Sequence, residues 1–491
     1  MQKAHFIGIC GAGMSAVAKL LKEQGWVVSG SDEGFYPPIS NYLEANHLPC
    51  ATPYAAKNIP SDVELIVIGK NAKLVPETNP EVAAAFQLNE TKGIRIASFP
   101  EVLRELTAHT TNYVIAGSFG KSTCATLLAW TLIHAQKDPS YFLGAVPLNF
   151  DTNAHLGTGK TFILEGDEYP SANWDARSKF LHYNPSSVLL TSAEHDHLNV
   201  FPTIEAYLKP YRELISIIPQ SGRLIACLDG EHVRQLVNEA SCPITTYSFS
   251  REGGGDWHAA NIERGKINRF DLMHRNEPFG SAPLDPARDR QGKLIATIET
   301  QLLGDHNIQN MVGVATLLLA ERAVTAEQLV RAFREFRGVK RRLELKTPAT
   351  TLPVYEDYGS SRAKAEAGFK TIRQYYPNKK MIVVFEPHTF SWRNRNALPW
   401  YDTIFRAADV VYLFQPATQG AGTHEQLTQA EIVERVRVAN TEIHGVSTKE
   451  ELLEQLAPTL TGNEVIIMST SGDMAGAIEA VTEYINQNYK N

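Results

Sequence analysis

The sequence predicts an α/β protein built on largely parallel sheets, and three observations predict it. Short apolar runs alternate with helix-compatible stretches along most of the chain, the pattern of strands joined by crossover helices. A strand, a glycine turn and a helix come in direct succession twice, at HFIGIC followed by GAGMSA and at NYVIA followed by GSFGKST. A last series of apolar strands, MIVVF, VVYLF and EVIIM, lies beyond residue 340.

In chain order, HFIGIC runs into GAGMSA, the helix-like AVAKLLKEQG and a second strand, WVVSGSD. A further apolar run, ELIVIG, leads into KNAKLVPETNP, and the segment closes at SFPEVLRELTAHTT, which sets a boundary near residue 108. NYVIA restarts the pattern, and TFILEGDE and SSVLLTSAEHDH add two strands that end in acids. The glycine-rich SREGGGDWHAANIERGK reads as a mobile hairpin or loop of this middle segment. GDHNIQNMVGVATLLLAERA and AEQLVRAFREF read as two helices, and RGVKRRLELK after them sets a second boundary near 340. PVYEDY and the three later strands form the last segment. The division is 1–108, 109–340 and 341–491, in keeping with about 150 residues per domain.

Composition narrows the function classes. With 43% hydrophobic and 21% charged residues the chain is neither disordered, collagen-like nor a coiled coil. A net charge of −7 offers no global attraction to nucleic acid or an anionic membrane. No run approaches the roughly 18 apolar residues of a membrane span, and MQKAHFIGICGAGM lacks the features of a signal peptide. Cys10, Cys50, Cys124, Cys227 and Cys242 are odd in number and lack CxxC spacing, so free thiols and a reduced, cytoplasmic location are expected.

Two glycine motifs carry the chemistry. Gly11, Gly13 and Ala16 form a GxGxxA fingerprint, and Asp32 follows Gly13 by 19 residues. That spacing suits NAD, the pyrophosphate of a UDP-sugar, or a purely structural turn. Gly117, Ser118, Phe119, Gly120, Lys121, Ser122 and Thr123 form a short phosphate loop between a strand and a helix. Its amides can surround phosphate oxygens, Lys121 can neutralise phosphate charge and Ser122 can ligate Mg²⁺. Acids belong nearby, beyond the carboxyl ends of strands. Glu165, Asp167 and Glu168 follow one strand, and Glu194, Asp196 and His197 another. In the last segment Asp357 and Tyr358, then Glu386 and His388, then Asp473 occupy corresponding places. Arg341 and Arg342, at the second boundary, suit stabilisation of charge in phosphoryl transfer.

Together these strings resemble the Mur ligases, ATP-dependent amide-forming enzymes of peptidoglycan synthesis, over almost the whole chain. HFIGICGAGM, SDEGFYPPIS, LGAVPLNF, EGDEY, WDARSKFLHYNP, GDHNIQN and FRGVKRRLE carry the resemblance. The first, second and fifth of them point to the family's murein peptide branch. The resemblance implies three domains: an N-terminal Rossmann-like UDP-binding domain, a central P-loop ATPase domain and a C-terminal Rossmann-like domain. It implies UDP-sugar contacts from Gly11, Gly13, Met14, Asp32 and Asn71, with ATP held by residues 117–123. It further implies Ser122 and Glu165 on one Mg²⁺ and His197 on a second, with Glu165 chosen over Glu168 by its place in EGDEY. Asn307 would contact adenine, Arg342 the phosphates and Asp357 the ribose. His388 and Arg393, in FEPHTFSWRNR, lie where the amine substrate is read.

The implied reaction joins the carboxylate of UDP-N-acetylmuramate to the amine of L-alanyl-γ-D-glutamyl-meso-diaminopimelate through an acyl phosphate, in peptidoglycan recycling. It needs no nucleic acid, membrane or obligate protein partner. Three departures bear on that reading. GSFGKST stands where the family has GTHGKTT, and Ser360, Ser361 and Arg362 stand where it has two histidines and a proline. TSAEHDH replaces an asparagine-containing run, and FEPHTFSWRNR resembles the alanine-adding branch. The alternatives are a relative joining another carboxylate and amine, L-alanine included, and a nucleotide-binding protein without turnover.

Overall fold

The computed structural model describes residues 1–35, 39–197, 200–275, 292–417, 425–439 and 441–490, so Tyr36, Pro37 and Pro38 of SDEGFYPPIS lie outside the described residues. The chain divides into two compact units, Met1–Gly338 and Val339–Asn491.

The first unit opens on a sheet of β1 (Lys3–Ile7), β2 (Val27–Ser31), β3 (Cys50–Ala51), β4 (Leu65–Ile68) and β5 (Arg95–Ala97). Its strands are all parallel, in the order β3-β2-β1-β4-β5. Helices cover both faces, so a strand such as Leu65–Ile68 is apolar and buried at every position. Local chemistry starts the helices. Asn79 accepts from the amides of Glu81 and Val82 ahead of Pro80–Lys92, and Ser98 and Glu101 form a capping box for Phe99–Leu106.

The second sheet holds β6 (Thr111–Ala116), β7 (Ser140–Phe142), β8 (Ala154–His155), β9 (Thr161–Glu165), β10 (Ser187–Leu190), β11 (Arg223–Cys227), β12 (Ile244–Ser248), β13 (Trp257–Glu263), β14 (Asn268–His274) and β15 (Lys293–Thr300). The order is β15-β14-β13-β12-β11-β10-β6-β9-β7-β8. It is parallel from β13 to β7, and β14, β15 and β8 run antiparallel to their neighbours. WHAANIE, expected within a mobile hairpin or loop, is strand β13, which forms an antiparallel hairpin with β14. The glycine punctuation ends at Gly255, and Trp257 and Ala259 beyond it are buried apolar residues that hold the strand against the sheet. The two expected helices are Asp305–Ala320 and Ala326–Glu335.

One apolar cluster spans these two sheets, from Phe6, Val17 and Leu21 through Val102 and Leu103 to Phe142, Phe162 and Phe180. Residue 108 falls between β5 and β6, within the first unit.

The second unit is a sheet of β16 (Glu344–Leu345), β17 (Val354–Asp357), β18 (Lys380–Phe385), β19 (Val410–Phe414), β20 (Glu442–Val446) and β21 (Glu464–Ser469), in the order β16-β17-β21-β18-β19-β20. All pairs are parallel except β16 with β17. Val354, Ile382, Val384, Val410 and Ile466 pack beneath Ile478, Val481 and Ile485 of the last helix, Ala477–Asn488. Among the described residues no helix is long and apolar enough to cross a membrane.

Candidate active site

The second sheet reverses its strand order around β6. β9, β7 and β8 lie to one side and β10 to β15 to the other, which makes the carboxyl end of β6 a switch-point crevice. The phosphate loop leaves β6 here. Helix Lys121–His134 begins at Gly120 without a side-chain cap, so its first amides point toward a ligand position. The loop is braced by the chain after β10. Ser118 and Phe119 donate their amides to Ser192, to its carbonyl at 3.3 Å and its hydroxyl at 2.9 Å. The Ser118 hydroxyl donates to Glu194 O at 2.6 Å and meets Tyr207 Oη at 2.9 Å.

Two polar clusters face this loop. In one, Lys121 Nζ donates to Gly117 O and lies 3.0 Å from Glu168 Oε2. Glu168 is 1% exposed. Burial pushes its carboxyl up, but Lys121 and His197 outweigh burial and hold it well below the usual carboxylate range. Burial alone would lower the Lys121 ammonium, and Glu168 reverses that and raises it. The pair is therefore ionised at neutral pH. His197 closes the cluster, with Nε2 3.3 Å from Glu168 Oε1 and Nδ1 3.0 Å from Tyr169 Oη. In the other cluster the Ser122 hydroxyl donates to Glu165 Oε1 at 2.7 Å, and the Gly144 amide donates to Glu165 Oε2 at 2.6 Å.

Ser122 and Glu165 thus place two hard oxygen donors side by side beneath the loop, the donor type Mg²⁺ takes together with phosphate oxygens and water. Among the described residues no three His, Cys, Asp or Glu side chains are grouped to hold a metal by themselves. The donors present fit a cation that shares its shell with a phosphate. Asn307 is buried on helix Asp305–Ala320 and donates to Leu303 O at 2.8 Å. Asn310, one turn on, reaches Asn307 Oδ1 at 3.4 Å and lies against Gly120.

A second crevice opens where the first sheet reverses, between β1 and β4. Helix Ala12–Glu23 starts at Gly11, again without a side-chain cap. Asp32 braces the glycine turn: its Oδ2 accepts from the Cys10 amide at 2.8 Å and its Oδ1 from Tyr54 Oη at 3.0 Å. Gly13 lies under the Phe99 ring, Met14 is buried in the core and Asn71 is exposed in the turn after β4.

In the second unit, Asp357 is buried at the end of β17 and accepts from the Leu343 amide at 3.1 Å. Burial raises its carboxyl, opposed by nearby Arg342. The Arg342 guanidinium lies 4.8 Å from the centre of the Tyr358 ring. Arg341 pairs with Glu356 at 2.8 Å and donates to Thr470 O at 3.1 Å. His388 Nδ1 lies 3.5 Å from Glu386 Oε1, whereas Arg393 is buried and donates to Ala417 O. Arg362 pairs with Glu366 at 2.8 Å and donates to Thr403 Oγ1 at 3.0 Å.

Residues 3–111 match the Mur ligase family catalytic domain, and residues 115–318 match the Mur ligase middle domain. The chain belongs to the Mur ligase family. Members of that family are ATP-dependent amide ligases, and so is this protein. A UDP-N-acetylmuramate–L-alanine ligase from an Anaeromyxobacter is 29% identical, over 97% of this chain and 96% of its own. The UDP-N-acetylmuramate–L-alanyl-γ-D-glutamyl-meso-2,6-diaminoheptandioate ligase of Escherichia coli is 28% identical, over 96% of this chain and 95% of its own. Among solved structures, a UDP-N-acetylmuramate–alanine ligase from Thermotoga maritima shares the fold with a TM-score of 0.77 at 20% identity, covering 99% of this chain and all of the other. A murein peptide ligase from Psychrobacter arcticus does so with a TM-score of 0.68 at 22% identity, over the full length of both.

Several residues of this Mur ligase's crevice lie in strings that carry the resemblance, Glu168 and Tyr169 in EGDEY, Gly144 in LGAVPLNF and Asn310 in GDHNIQN, but those strings do not give their contacts. Glu168 stands in a run of acids, and nothing in that run marks the one that turns to Lys121. Tyr169, Ser192, Gly144 and Asn310 belong to separate elements that only the sheet order brings to the loop.

Proposed function

We propose that this Mur ligase joins the carboxylate of UDP-N-acetylmuramate to the amine of L-alanyl-γ-D-glutamyl-meso-diaminopimelate, in the cytoplasm, with ATP as co-substrate. Residues 1–108 take the UDP-sugar, 109–340 take ATP and 341–491 take the amine and contribute Arg342 and Asp357 to the nucleotide. The observation that carries the reading is the pairing of Lys121 with Glu168 and of Ser122 with Glu165 beneath an uncapped helix N-terminus. The peptide amine is supported by HFIGICGAGM, SDEGFYPPIS and WDARSKFLHYNP and by the similarity to the Escherichia coli ligase.

In the first step a carboxylate oxygen attacks the γ-phosphorus, the bond to the bridging oxygen breaks, and ADP leaves with the electron pair. The neutral amine nitrogen then attacks the acyl carbon, and the bond from that carbon to the phosphate oxygen breaks. Inorganic phosphate leaves with the electron pair while the nitrogen gives up a proton to solvent as the amide forms. Two anions must meet in the first step, so the site's task is charge compensation. The amides at the start of helix Lys121–His134 and the Lys121 ammonium face the phosphates, and Glu168 keeps that ammonium protonated and aimed. Mg²⁺ held by Ser122 and Glu165, and a second held by His197, would supply further positive charge at the transferring group. Arg342 contacts the phosphates, Asn307 the adenine and Asp357 the ribose. Gly11, Gly13, Met14, Asp32 and Asn71 hold the UDP-sugar, and His388 and Arg393 read the amine.

A second reading has its own support. FEPHTFSWRNR resembles the alanine-adding branch, and the Anaeromyxobacter relative is an L-alanine ligase. Mass spectrometry of products decides between them, with UDP-N-acetylmuramate and ATP supplied and either the tripeptide or L-alanine as amine. A tripeptide adduct with phosphate release is expected, and an L-alanine adduct alone would replace it with the second reading. Lys121→Ala should lower ligation by a factor of about 10² or more while UDP-N-acetylmuramate binding stays within about twofold. Equal loss of both in a folded variant would sink the assignment.

A further inference from the structure

Asn173 stands apart from every residue assigned above. Its exposed carboxamide donates from Nδ2 to two carbonyls of the other glycine crevice, Asn71 O at 2.9 Å and Leu74 O at 2.9 Å. Leu74 in turn donates its amide to Asn71 O at 3.0 Å, so these residues form a tight turn directly after β4. Exchanging the carboxamide nitrogen and oxygen would set an acceptor against two acceptors, so the network fixes the orientation. The turn matters because of its Leu74 side chain. That side chain is 4% exposed and is wedged against the glycine turn after β1, where a Cβ on Gly8 would lie 2.8 Å from Leu74 Cδ1.

The stretch that presents Asn173 is itself built. Trp174 packs edge-on against Phe86 of helix Pro80–Lys92, with ring centres 6.1 Å apart and planes at 84°. Asp175 accepts from Arg177 at 2.8 Å and lies 3.0 Å from the buried His182 ring. Five residues before Asn173, the same stretch carries Glu168, the partner of Lys121. One segment therefore contacts the phosphate loop at one end and the turn after β4 at the other.

We propose that Asn173 is a positioning residue for the UDP-sugar: it holds the turn after β4, and through Leu74 the glycine turn after β1, in the shape that receives the nucleotide. The inference rests on the reading that these two turns take UDP-N-acetylmuramate. A packing contact alone would change the melting temperature and leave nucleotide affinity untouched, which separates the two roles.

Full-length Asn173→Leu keeps the size and removes both donors, and Asn173→Asp sets a carboxylate against the two carbonyls. Calorimetric titration with UDP-N-acetylmuramate should give a Kd about fivefold weaker for Asn173→Leu, and weaker still for Asn173→Asp. Titration with a non-hydrolysable ATP analogue should stay within about twofold of wild type and reports that the fold is kept. Amide exchange at Leu74 should quicken in both variants, since its turn loses its clamp. Wild-type binding that both variants retain within twofold would overturn the positioning role alone. Failure of the wild-type chain to bind UDP-N-acetylmuramate would overturn the ligand reading and the positioning role with it.

Discussion

Glu168 is buried yet ionised, and the reason is its company. Removing a carboxylate from water favours the neutral form, but the Lys121 ammonium at 3.0 Å and the His197 ring at 3.3 Å favour the charged one more strongly. The linkage follows in sign. A carboxyl whose folded value lies below its unfolded value stabilises the protein above the unfolded value of about 4.5, and that contribution is lost as pH falls toward about 2. Glu168→Gln leaves the half-buried Lys121 ammonium without its carboxylate partner, a loss of about 3 kcal/mol at most, the low end of the range for a fully buried pair. In urea unfolding the wild-type advantage over Glu168→Gln should be full at pH 7 and shrink from pH 4.5 downward. An advantage constant across that window would remove the ion pair as its cause.

Elements bring together what single residues cannot announce. Gly144, just after β7, donates its amide to Glu165 at the end of β9, and the approach is so close that a Cβ would lie 2.4 Å from Glu165 Oε1. Gly144→Ala should therefore push the Glu165 carboxylate off the Ser122 hydroxyl, raising the Mg²⁺ concentration for half-maximal ligation several-fold with the fold retained. A Mg²⁺ dependence identical to wild type would take Glu165 out of the metal shell. The same geometry explains what was legible in the sequence. The βα punctuation exposed β1, β6, β9, β10 and β18, because buried parallel strands are short apolar runs that end in turns. It left the stretch of β13 open between a hairpin and a loop, because the glycines before Trp257 dominate the local signal, and the pairing with β12 and β14 makes it a hairpin strand. Lys121 and Ser122 were legible because one loop carries them. Glu168, Tyr169 and Gly144 were legible only as members of EGDEY and LGAVPLNF, and their contacts were not, because their partners come from other strands.

At the scale of the whole molecule, a boundary in sequence is not always a boundary in energy. The strand pattern restarts near residue 108, yet the two sheets on either side share one apolar cluster, and Phe99 meets Phe142 across it at 5.9 Å between ring centres. Lys19 of the first glycine-turn helix donates to Ala154 O at 2.8 Å, and Asn173 reaches the turn after β4. Separating residues 1–108 from the rest of Met1–Gly338 would expose that cluster and break these bonds together, so the whole stretch should unfold as one cooperative body. Val339–Asn491 has a core of its own, built on Val354, Ile382 and Ile466. Scanning calorimetry of the full chain should therefore resolve two transitions, the larger belonging to Met1–Gly338. Saturating UDP-N-acetylmuramate should raise that larger transition as a single peak, because a ligand that binds one part of a cooperative body stabilises all of it, by about 2.7 kcal/mol at a hundred times its Kd. A third peak that alone responds to the nucleotide would mean that residues 1–108 unfold by themselves, and that the shared cluster contributes packing without cooperativity.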